Sequence, residues 1–394
     1  MANKNLTNAK RVKNDEFYTQ YGDIQKEIEA YLEYNSEVFR GKVVYCNCDD
    51  PYESNFFRYF ALNFNRIGLK QLITTSYKPS PIANMQIELF SDDSTLVLSK
   101  DLPKITANRF IINEVHDIDG DGEFNLKDVA LQLKANKNNE WAPLEGDGDF
   151  RSDECVDLLK QSDIVITNPP FSLFREYVKQ LFDYNKFFLI IGSMNAITYK
   201  EIFPLIRNNK MWLGNGFNAG NAYFYTPNTR NFASGVFDET TGLVKFRNVC
   251  WFTNLDHGRR HQPLPLMTMS DNLKYSKHKG IKGKEEYIKY DNYDAIEVPF
   301  TDAIPSDYDG VMGVPISFLD KYSPEQFEIL GTSDNGLVDD ELKKTPGLTK
   351  EFVEDYYKAG GTGAYKEGNP TAGYYEDGVA KMAYKRIFIK HKGS

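Results

Sequence analysis

Short apolar runs alternate with amphipathic segments over the first half of the chain. Four of these runs are typical of buried strands, at residues 42–47, 71–76, 163–167 and 187–191. A helical period follows Asp23, the expected N-cap, a second helix runs from Ser54 to Gly68, and a third covers 174–184. This alternation of strands and helices predicts an α/β sheet.

The same pattern divides the chain into regions. Residues 1–12 are polar and are expected to form a flexible N-terminus, whereas the α/β pattern covers 13–260. An insertion at about 77–135 interrupts it and contains two strand-like pieces, 95–99 and 109–114. Beyond residue 260 the chain becomes rich in Pro and Lys and then in Tyr and Gly, so 261–394 is predicted to be a separate region.

Composition restricts the class of protein. With 394 residues, 41% hydrophobic and 26% charged, the chain has the make-up of an ordinary globular protein and not of a disordered one. The longest apolar run, 187–194, is shorter than the roughly 18 residues of a membrane span, and the N-terminus lacks the apolar segment of a secretory signal. Four cysteines are too few for a disulfide scaffold, so we expect thiols and a cytoplasmic location.

Charge is distributed unevenly along the chain. The net charge is −9, yet residues 113–157 alone carry thirteen acids against four bases. Residues 257–289 show the opposite balance, with eight Lys and Arg against three acids. An acidic protein can therefore still present a basic face to a polyanion such as a nucleic acid.

The strongest chemical signal directly follows the predicted strand at 163–167. Asn168, Pro169, Pro170 and Phe171 lie where the loops of an open α/β sheet bind ligands. Because the prolines stiffen the backbone, the carbonyls and the Asn168 amide oxygen are held as fixed acceptors, with the Phe171 ring beside them. Such a loop suits a planar group that carries an amino function, although an Asn-Pro-Pro turn that only closes a strand is the alternative.

The Asn168-Pro-Pro-Phe171 motif resembles the catalytic motif of the amino-group DNA methyltransferases that use S-adenosylmethionine. Three further stretches resemble the EcoRI-type adenine methylases: residues 15–20 (DEFYTQ), 45–51 (YCNCDDP) and 146–152 (GDGDFRS). The resemblance extends over about 13–260, with a weaker match near the C-terminus at 384–390. It implies a Rossmann-like methyltransferase sheet with helices on both faces, followed by a C-terminal DNA-recognition region.

The resemblance also implies catalytic roles. In such enzymes the Asn side chain and the carbonyl of the next Pro accept hydrogen bonds from the adenine N6 amino group, here at Asn168 and Pro169. The aromatic residue, here Phe171, stacks on a base flipped out of the duplex, because the amino nitrogen is inaccessible inside the stack. Pro170 completes this catalytic motif, and catalysis is then mostly positioning and electrostatics.

Cofactor contacts follow from the remaining motifs. Asp149 and Phe150 resemble the motif that binds the cofactor adenine, and the segment with Tyr18 and Thr19 resembles the N-terminal motif that closes over its methionine. In related methyltransferases a glycine-rich turn follows the first strand, but here no glycine follows Asp50-Pro51. Which of three residues contacts the methionine amino group therefore stays open: Asp49, Asp50 or Ser54. Asp49 and Asp50 can equally supply favourable charge at a helix N-terminus, and Ser54 is expected as a helix cap.

Double-stranded DNA is the partner that the resemblance implies. Two cases stay open: a cognate restriction endonuclease as a genetic partner, or an orphan methylase without one. The candidate phosphate contacts lie in the basic stretch: Arg259, Arg260, Lys274, Lys277, Lys279 and Lys282. His257 and His261 are four residues apart, but a basic loop facing phosphate is favoured over a metal pair. No metal site is predicted.

Two alternatives remain. The Asn-Pro-Pro-aromatic motif is shared with RNA and protein-glutamine methyltransferases that use the same cofactor. From another class, residues 117–128 fit the spacing of a calcium-binding loop, with acids at positions 1, 3 and 5 and Gly at position 6. Asp128 stands at position 12, where a bidentate Glu is usual, so an acidic surface turn is the favoured interpretation.

Overall fold

The computed structural model describes residues 18–48, 54–77, 107–118, 120, 125, 128–129, 131–132, 138–217, 221–225 and 236–393. The chain divides into two compact units. One comprises Met1–Met194 with Leu213–His257, and the other comprises Asn195–Trp212 with Gly258–Ser394. The division near residue 258 lies beside the predicted boundary after 260, but the second unit also takes in Asn195–Trp212. The functions assigned to the two regions stay predictions.

Twelve strands are described up to residue 253: β1 (Tyr18–Thr19), β2 (Val43–Cys46), β3 (Gln71–Thr75), β4 (Asn108–Ile112), β5 (Glu140–Pro143), β6 (Ile164–Thr167), β7 (Phe187–Ser193), β8 (Trp212–Leu213), β9 (Asn221–Tyr225), β10 (Phe237–Asp238), β11 (Leu243–Arg247) and β12 (Val249–Thr253). The larger sheet has the order β5-β4-β3-β2-β6-β7-β12-β8. Its centre, β3-β2-β6-β7, is parallel, whereas β4, β5 and β12 run antiparallel to their neighbours. The α/β prediction is confirmed.

Helices of the first unit are α1 (Tyr21–Tyr34), α2 (Asn55–Leu62), α3 (Phe64–Ile67), α4 (Asp153–Gln161) and α5 (Phe174–Asp183). The first three pack on one face of the sheet, in a core that contains Val44, Ile166 and Leu189. The other face is covered by α4 and α5, where Phe182 lies 5.7 Å from Phe188, ring centre to ring centre. Because neighbouring residues of a strand point to opposite faces, these buried strands are apolar throughout.

Element ends show where the sequence pattern succeeds and where it fails. Ser54 caps α2 as expected, and its hydroxyl accepts from the Phe56 and Phe57 amides at 3.2 and 3.4 Å. The expected Asp23 cap is wrong, because α1 begins at Tyr21 after Gln20. The strand expected at 109–114 is β4, which extends the main sheet beside β3. The strand expected at 95–99 lies outside the described residues.

A second, antiparallel sheet of the first unit has the order β1-β9-β11-β10. On one of its faces Ala222 and Phe224 belong to the main core, and Val244, opposite Phe224, is also buried. The β1 strand is only two residues long and pairs with β9, so that Tyr18 lies opposite Tyr225 and Thr19 opposite Phe224.

The second unit contains α6 (Phe203–Arg207), α7 (Met269–Tyr275), α8 (Lys350–Lys358) and six strands: β13 (Ile296–Glu297), β14 (Met312–Pro315), β15 (Phe327–Thr332), β16 (Gly373–Glu376), β17 (Val379–Met382) and β18 (Arg386–His391). Four strands form a sheet of order β13-β14-β18-β15, and β16 and β17 form a hairpin. Arg386 and Glu297 make a buried ion pair in this unit. Throughout the described part of the chain, no helix is long and apolar enough to cross a membrane.

Candidate active site

The predicted catalytic loop begins where β6 ends, at the edge of the sheet where β2 also ends. Asn47 directly follows β2 and joins the two strands: Thr167 donates from its hydroxyl to the Asn47 carbonyl. The Tyr177 hydroxyl of α5 donates to the Asn47 side-chain oxygen. All three residues are buried. The spacing of the two strand ends is therefore fixed by buried hydrogen bonds as well as by the sheet.

Beyond Thr167 the chain turns into a single 3-10 turn, Phe171–Leu173, and then into α5. The Leu173 amide donates to the Pro170 carbonyl at 2.9 Å, so this carbonyl is already engaged. No described residue donates to the Pro169 carbonyl. The Asn168 side-chain oxygen is buried, and the Phe171 ring is half-buried against the main core. The loop thus holds its acceptors in defined positions.

The acidic loop before α4 meets the same edge of the sheet. Gly148 has φ +77°, and a Cβ atom there would overlap the Ser76 carbonyl just beyond β3. Only glycine allows this close approach. Phe150 follows at 4% exposure, with its ring edge-on to Tyr177 at 4.9 Å. Phe150 is thereby connected through Tyr177 to Asn47.

Asp149 is held by a neighbouring cation. Arg151 donates to it twice from its guanidinium, from Nε to Oδ1 at 2.9 Å and from Nη2 to Oδ2 at 2.7 Å. The same guanidinium also donates to Glu176 at 3.0 Å and lies 5.3 Å from the centre of the Phe150 ring. Hydrogen bonding to Asp149 raises the pKa of the Arg151 guanidinium above its ordinary value, so Arg151 remains charged. A carboxylate offers about four acceptor positions, so this clamp is compatible with a further hydrogen bond to a ligand.

The structure brings the N-terminal motif to the start of α2. Asn55 donates from its side chain to the Thr19 carbonyl at 2.7 Å. The Thr19 hydroxyl is buried, and no described residue forms a hydrogen bond with it. Ser54 lies beside this contact, at 1% exposure, and its hydroxyl is used as the helix cap. Asp49 and Asp50 lie outside the described residues.

Residues of the basic stretch differ in accessibility. Exposed members are Lys274, Lys277, Lys279 and Lys282, while Arg259 is half-buried. Lys277 pairs with Asp302 at 2.7 Å. Arg260 is only 8% exposed, and its guanidinium stacks on the Trp212 ring at 3.7 Å and donates to Asn209. Burial in these contacts disfavours the phosphate contact predicted for Arg260.

The calcium-loop alternative falls on a segment of which only part is described. Asp128, expected as the last ligand, is buried, and its two oxygens accept from the backbone amides of Ile118 and Asn125, each at 2.8 Å. These bonds make Asp128 a structural acceptor that closes the turn. Among the described residues, no group of three or more His, Cys, Asp or Glu could hold a metal ion.

Sequence reasoning missed three residues that organise the site: Asn47, Tyr177 and Arg151. One signal was available, since Asn47 follows β2 as Asn168 follows β6. Tyr177 lies on the buried, largely apolar face of its helix, and nothing in the sequence indicates that its hydroxyl bonds to a side chain 130 residues away. Arg151 carried the only positive charge within the last motif, 146–152.

The polar loops at the carboxyl ends of the parallel strands lie where open α/β sheets bind their ligands, so the fold and the site together are those of a ligand-binding α/β protein. The model of the family described as "Adenine-specific methyltransferase EcoRI" matches residues 5–392. The chain therefore belongs to the EcoRI family of adenine-specific methyltransferases.

Named relatives agree with this assignment. The chain is 44% identical over 331 residues to the type II methyltransferase M.EcoRI of Escherichia coli, covering 83% of this chain and 89% of that protein. It is 33% identical over 364 residues to the type II methyltransferase M.MpnI of Mycoplasma pneumoniae, covering 91% and 94% respectively. A third relative, M.MgeORF184P of Mycoplasma genitalium, is 32% identical over 364 residues, covering 91% and 95%. Comparison with solved structures gives no significant match.

Proposed function

We propose that the protein transfers a methyl group from S-adenosylmethionine to the N6 nitrogen of an adenine flipped out of duplex DNA, at a specific sequence. The observation that carries this proposal is the convergence of three elements at one edge of the sheet: Asn168 with its two prolines, Asn47, and the Gly148–Phe150 loop. Membership in an adenine-specific methyltransferase family supports the reaction and the target base.

The sheet topology supports a Rossmann-like fold. From β2 the chain crosses to β3 on one side and later returns to β6 on the other side, so the strand order reverses between β2 and β6. Ligands of open α/β sheets bind outside the carboxyl ends of the strands at such a reversal. Asn47 and Thr167 occupy this position.

The residues present fit S-adenosylmethionine, which supplies an electrophilic methyl group. Asp149 would accept from the amino group of the cofactor adenine, and the ring of Phe150 would line that pocket. The buried Thr19 hydroxyl, which no described residue bonds, and Tyr18 would line the methionine end. Because the Ser54 hydroxyl caps α2, Asp49 and Asp50 are the better candidates for the methionine amino group.

On the target side, Asn168 and Pro169 would accept from the two N6 hydrogens of the adenine. Pro169 is favoured over Pro170, whose carbonyl already accepts from Leu173. The accessible part of the Phe171 ring would stack on the base. These contacts orient the nitrogen lone pair toward the methyl group, so positioning and electrostatics supply most of the rate enhancement.

Duplex DNA would be held in part by the second unit, as a target-recognition region. Its exposed cations, Lys274, Lys277, Lys279 and Lys282, with the half-buried Arg259, are the candidate phosphate contacts. We further propose a cytoplasmic location, in line with four cysteines present as thiols, and a restriction endonuclease as a genetic partner.

The experiment is to incubate the protein with S-adenosylmethionine labelled on the methyl group and with unmethylated genomic DNA, then digest the DNA to nucleosides. We expect the label in N6-methyl-2′-deoxyadenosine, and its position mapped by sequencing gives the target site. Asn168→Ala is the matched control, which should retain cofactor and DNA binding but lose transfer. Label in N4-methylcytosine, in RNA or in protein would contradict the proposal.

A further inference from the structure

The small sheet β1-β9-β11-β10 has one face in the core and one face in solvent. Burial alternates along β9: Ala222 and Phe224 are buried, whereas Tyr223 and Tyr225 are 41% and 43% exposed. These two tyrosine rings are therefore accessible to solvent instead of being buried in the core. At alternate positions of one strand, they form an aromatic surface.

Cations from the neighbouring strand lie on the same face. Lys245 is directly opposite Tyr223, with its ammonium 5.7 Å from the ring centre. Arg247 is exposed at the end of β11, opposite Asn221. Residues opposite one another in an antiparallel pair share a face, so rings and cations form one surface. At its other end lies Asp238, whose carboxylate accepts from the Thr240 amide at 2.9 Å within the β10–β11 turn.

This surface is tied to the proposed cofactor site through β1. Tyr225 is opposite Tyr18, with ring centres 6.3 Å apart, and the next residue, Thr19, accepts from Asn55 at the start of α2. The segment before β9 is fixed as well, because the buried Glu27 carboxylate accepts from the Asn215 and Gly216 amides at 2.7 and 2.9 Å. The sheet that bears the exposed face is therefore connected to the rest of the first unit at two places, through β1 and through the segment before β9.

We infer that the face formed by Tyr223, Tyr225, Lys245 and Arg247 binds DNA next to the adenine being methylated. The chemistry selects a nucleic acid: cations interleaved with aromatic rings contact phosphates and unstacked bases, whereas an apolar protein partner would leave the two charges buried and unpaired. Base flipping breaks the stack beside the target, which exposes base faces that tyrosine rings can cover. This inference rests on the proposed function and adds to it a DNA contact in the first unit.

The test uses the full-length protein and a labelled duplex containing the methylation site mapped above. Lys245→Gln with Arg247→Gln should lower the slope of log affinity against log salt by about 0.9 for each lost phosphate contact. Tyr223→Ala with Tyr225→Ala should weaken binding by about 5- to 150-fold for each base stacked. Tyr223→Phe with Tyr225→Phe should bind DNA nearly as tightly as the wild type, because both aromatic rings are kept.

Controls separate this surface from general effects. Tyr34→Ala removes another exposed tyrosine of the first unit, and Lys160→Gln another exposed cation; both should bind DNA as the wild type does. Cofactor affinity, measured by calorimetry, should be unchanged in the Lys245/Arg247 and Tyr223/Tyr225 double variants. Wild-type DNA affinity and salt slope in both double variants would overturn the inference. Failure of the wild type to methylate DNA would instead overturn the proposed function, so the two failures are distinguishable.

Discussion

Arg151 is expected to act on the cofactor through Asp149, and a double-mutant cycle tests this directly. Asp149→Ala removes a charged acceptor, so S-adenosylmethionine binding should weaken by about 1.5–3 kcal/mol, or about 10- to 150-fold. Arg151→Met keeps the carboxylate but removes the two guanidinium bonds of 2.9 and 2.7 Å that orient it. Affinity should fall less than in Asp149→Ala, because the acceptor remains.

Fold stability should hardly change in these variants. The Arg151 side chain is 47% exposed, so solvent screens its ion pairs and each contributes about 1 kcal/mol or less. Thermal melting therefore checks that a lost affinity is local to the site. Glu176→Gln removes the charge of the other ion-pair partner of Arg151, and it should lower cofactor affinity less than Arg151→Met does.

Isothermal titration of the wild type, both single variants and the double variant measures the coupling. If Arg151 works only by orienting Asp149, then Arg151→Met should cost nothing further once Asp149 is alanine. An equal loss in both backgrounds would refute that reasoning and assign Arg151 its own contact. Unchanged affinity in Asp149→Ala would remove Asp149 from the cofactor site altogether.

Other predictions concern the target loop and the basic stretch. Asn168→Ala should nearly abolish methyl transfer, while Asn168→Asp, which keeps an acceptor of similar shape, should retain more; equal rates in a single-turnover assay would contradict this role. Phe171→Ala should weaken the hold on the flipped base and Phe171→Tyr should be mild, as read from 2-aminopurine fluorescence at the target position. Lys279→Gln with Lys282→Gln should lower the slope of log DNA affinity against log salt by about 0.9 per lost contact. An unaltered slope would show that these two lysines do not contact phosphate. Arg260→Gln should instead lower the melting temperature through loss of a desolvated stacking contact of about 2 kcal/mol, and a changed salt slope would show that Arg260 meets phosphate.

Local pattern was sufficient to predict the strands that carry the site. The runs that become β2 and β6 are apolar on both faces because helices cover both sides of the sheet, and such runs are visible in sequence. Ser54 was equally visible, since capping depends on residues two and three positions further along. Local rules failed at Asp23, where tertiary packing decides: Tyr21, inside the helix, packs on Tyr59 with ring centres 5.7 Å apart.

Contacts between residues far apart in the chain explain the features that the local sequence pattern did not predict. A two-residue strand such as β1 has no detectable period, and its partner β9 lies about 200 residues further along the chain. Arg260 belongs to a basic stretch and is predicted to contact phosphate, yet it is buried against Trp212 from a distant segment. In both cases the contact is selected by the folded sheet and not by neighbours in sequence.

Asn47 shows how such long-range contacts bear on catalysis. Methyl transfer needs donor and acceptor atoms aligned to within a fraction of an ångström, a precision that loops alone rarely supply. The backbone carbonyl of Asn47 accepts a hydrogen bond from the hydroxyl of Thr167, the last residue before the target loop. Its side-chain oxygen accepts a hydrogen bond from Tyr177, and the Phe150 ring packs against Tyr177. One buried amide residue therefore links the strand that leads to the cofactor motif, the strand that leads to the catalytic loop, and the ring of the acidic loop. If the proposed function is correct, these buried hydrogen bonds would position the cofactor motif and the catalytic loop relative to each other before any ligand binds.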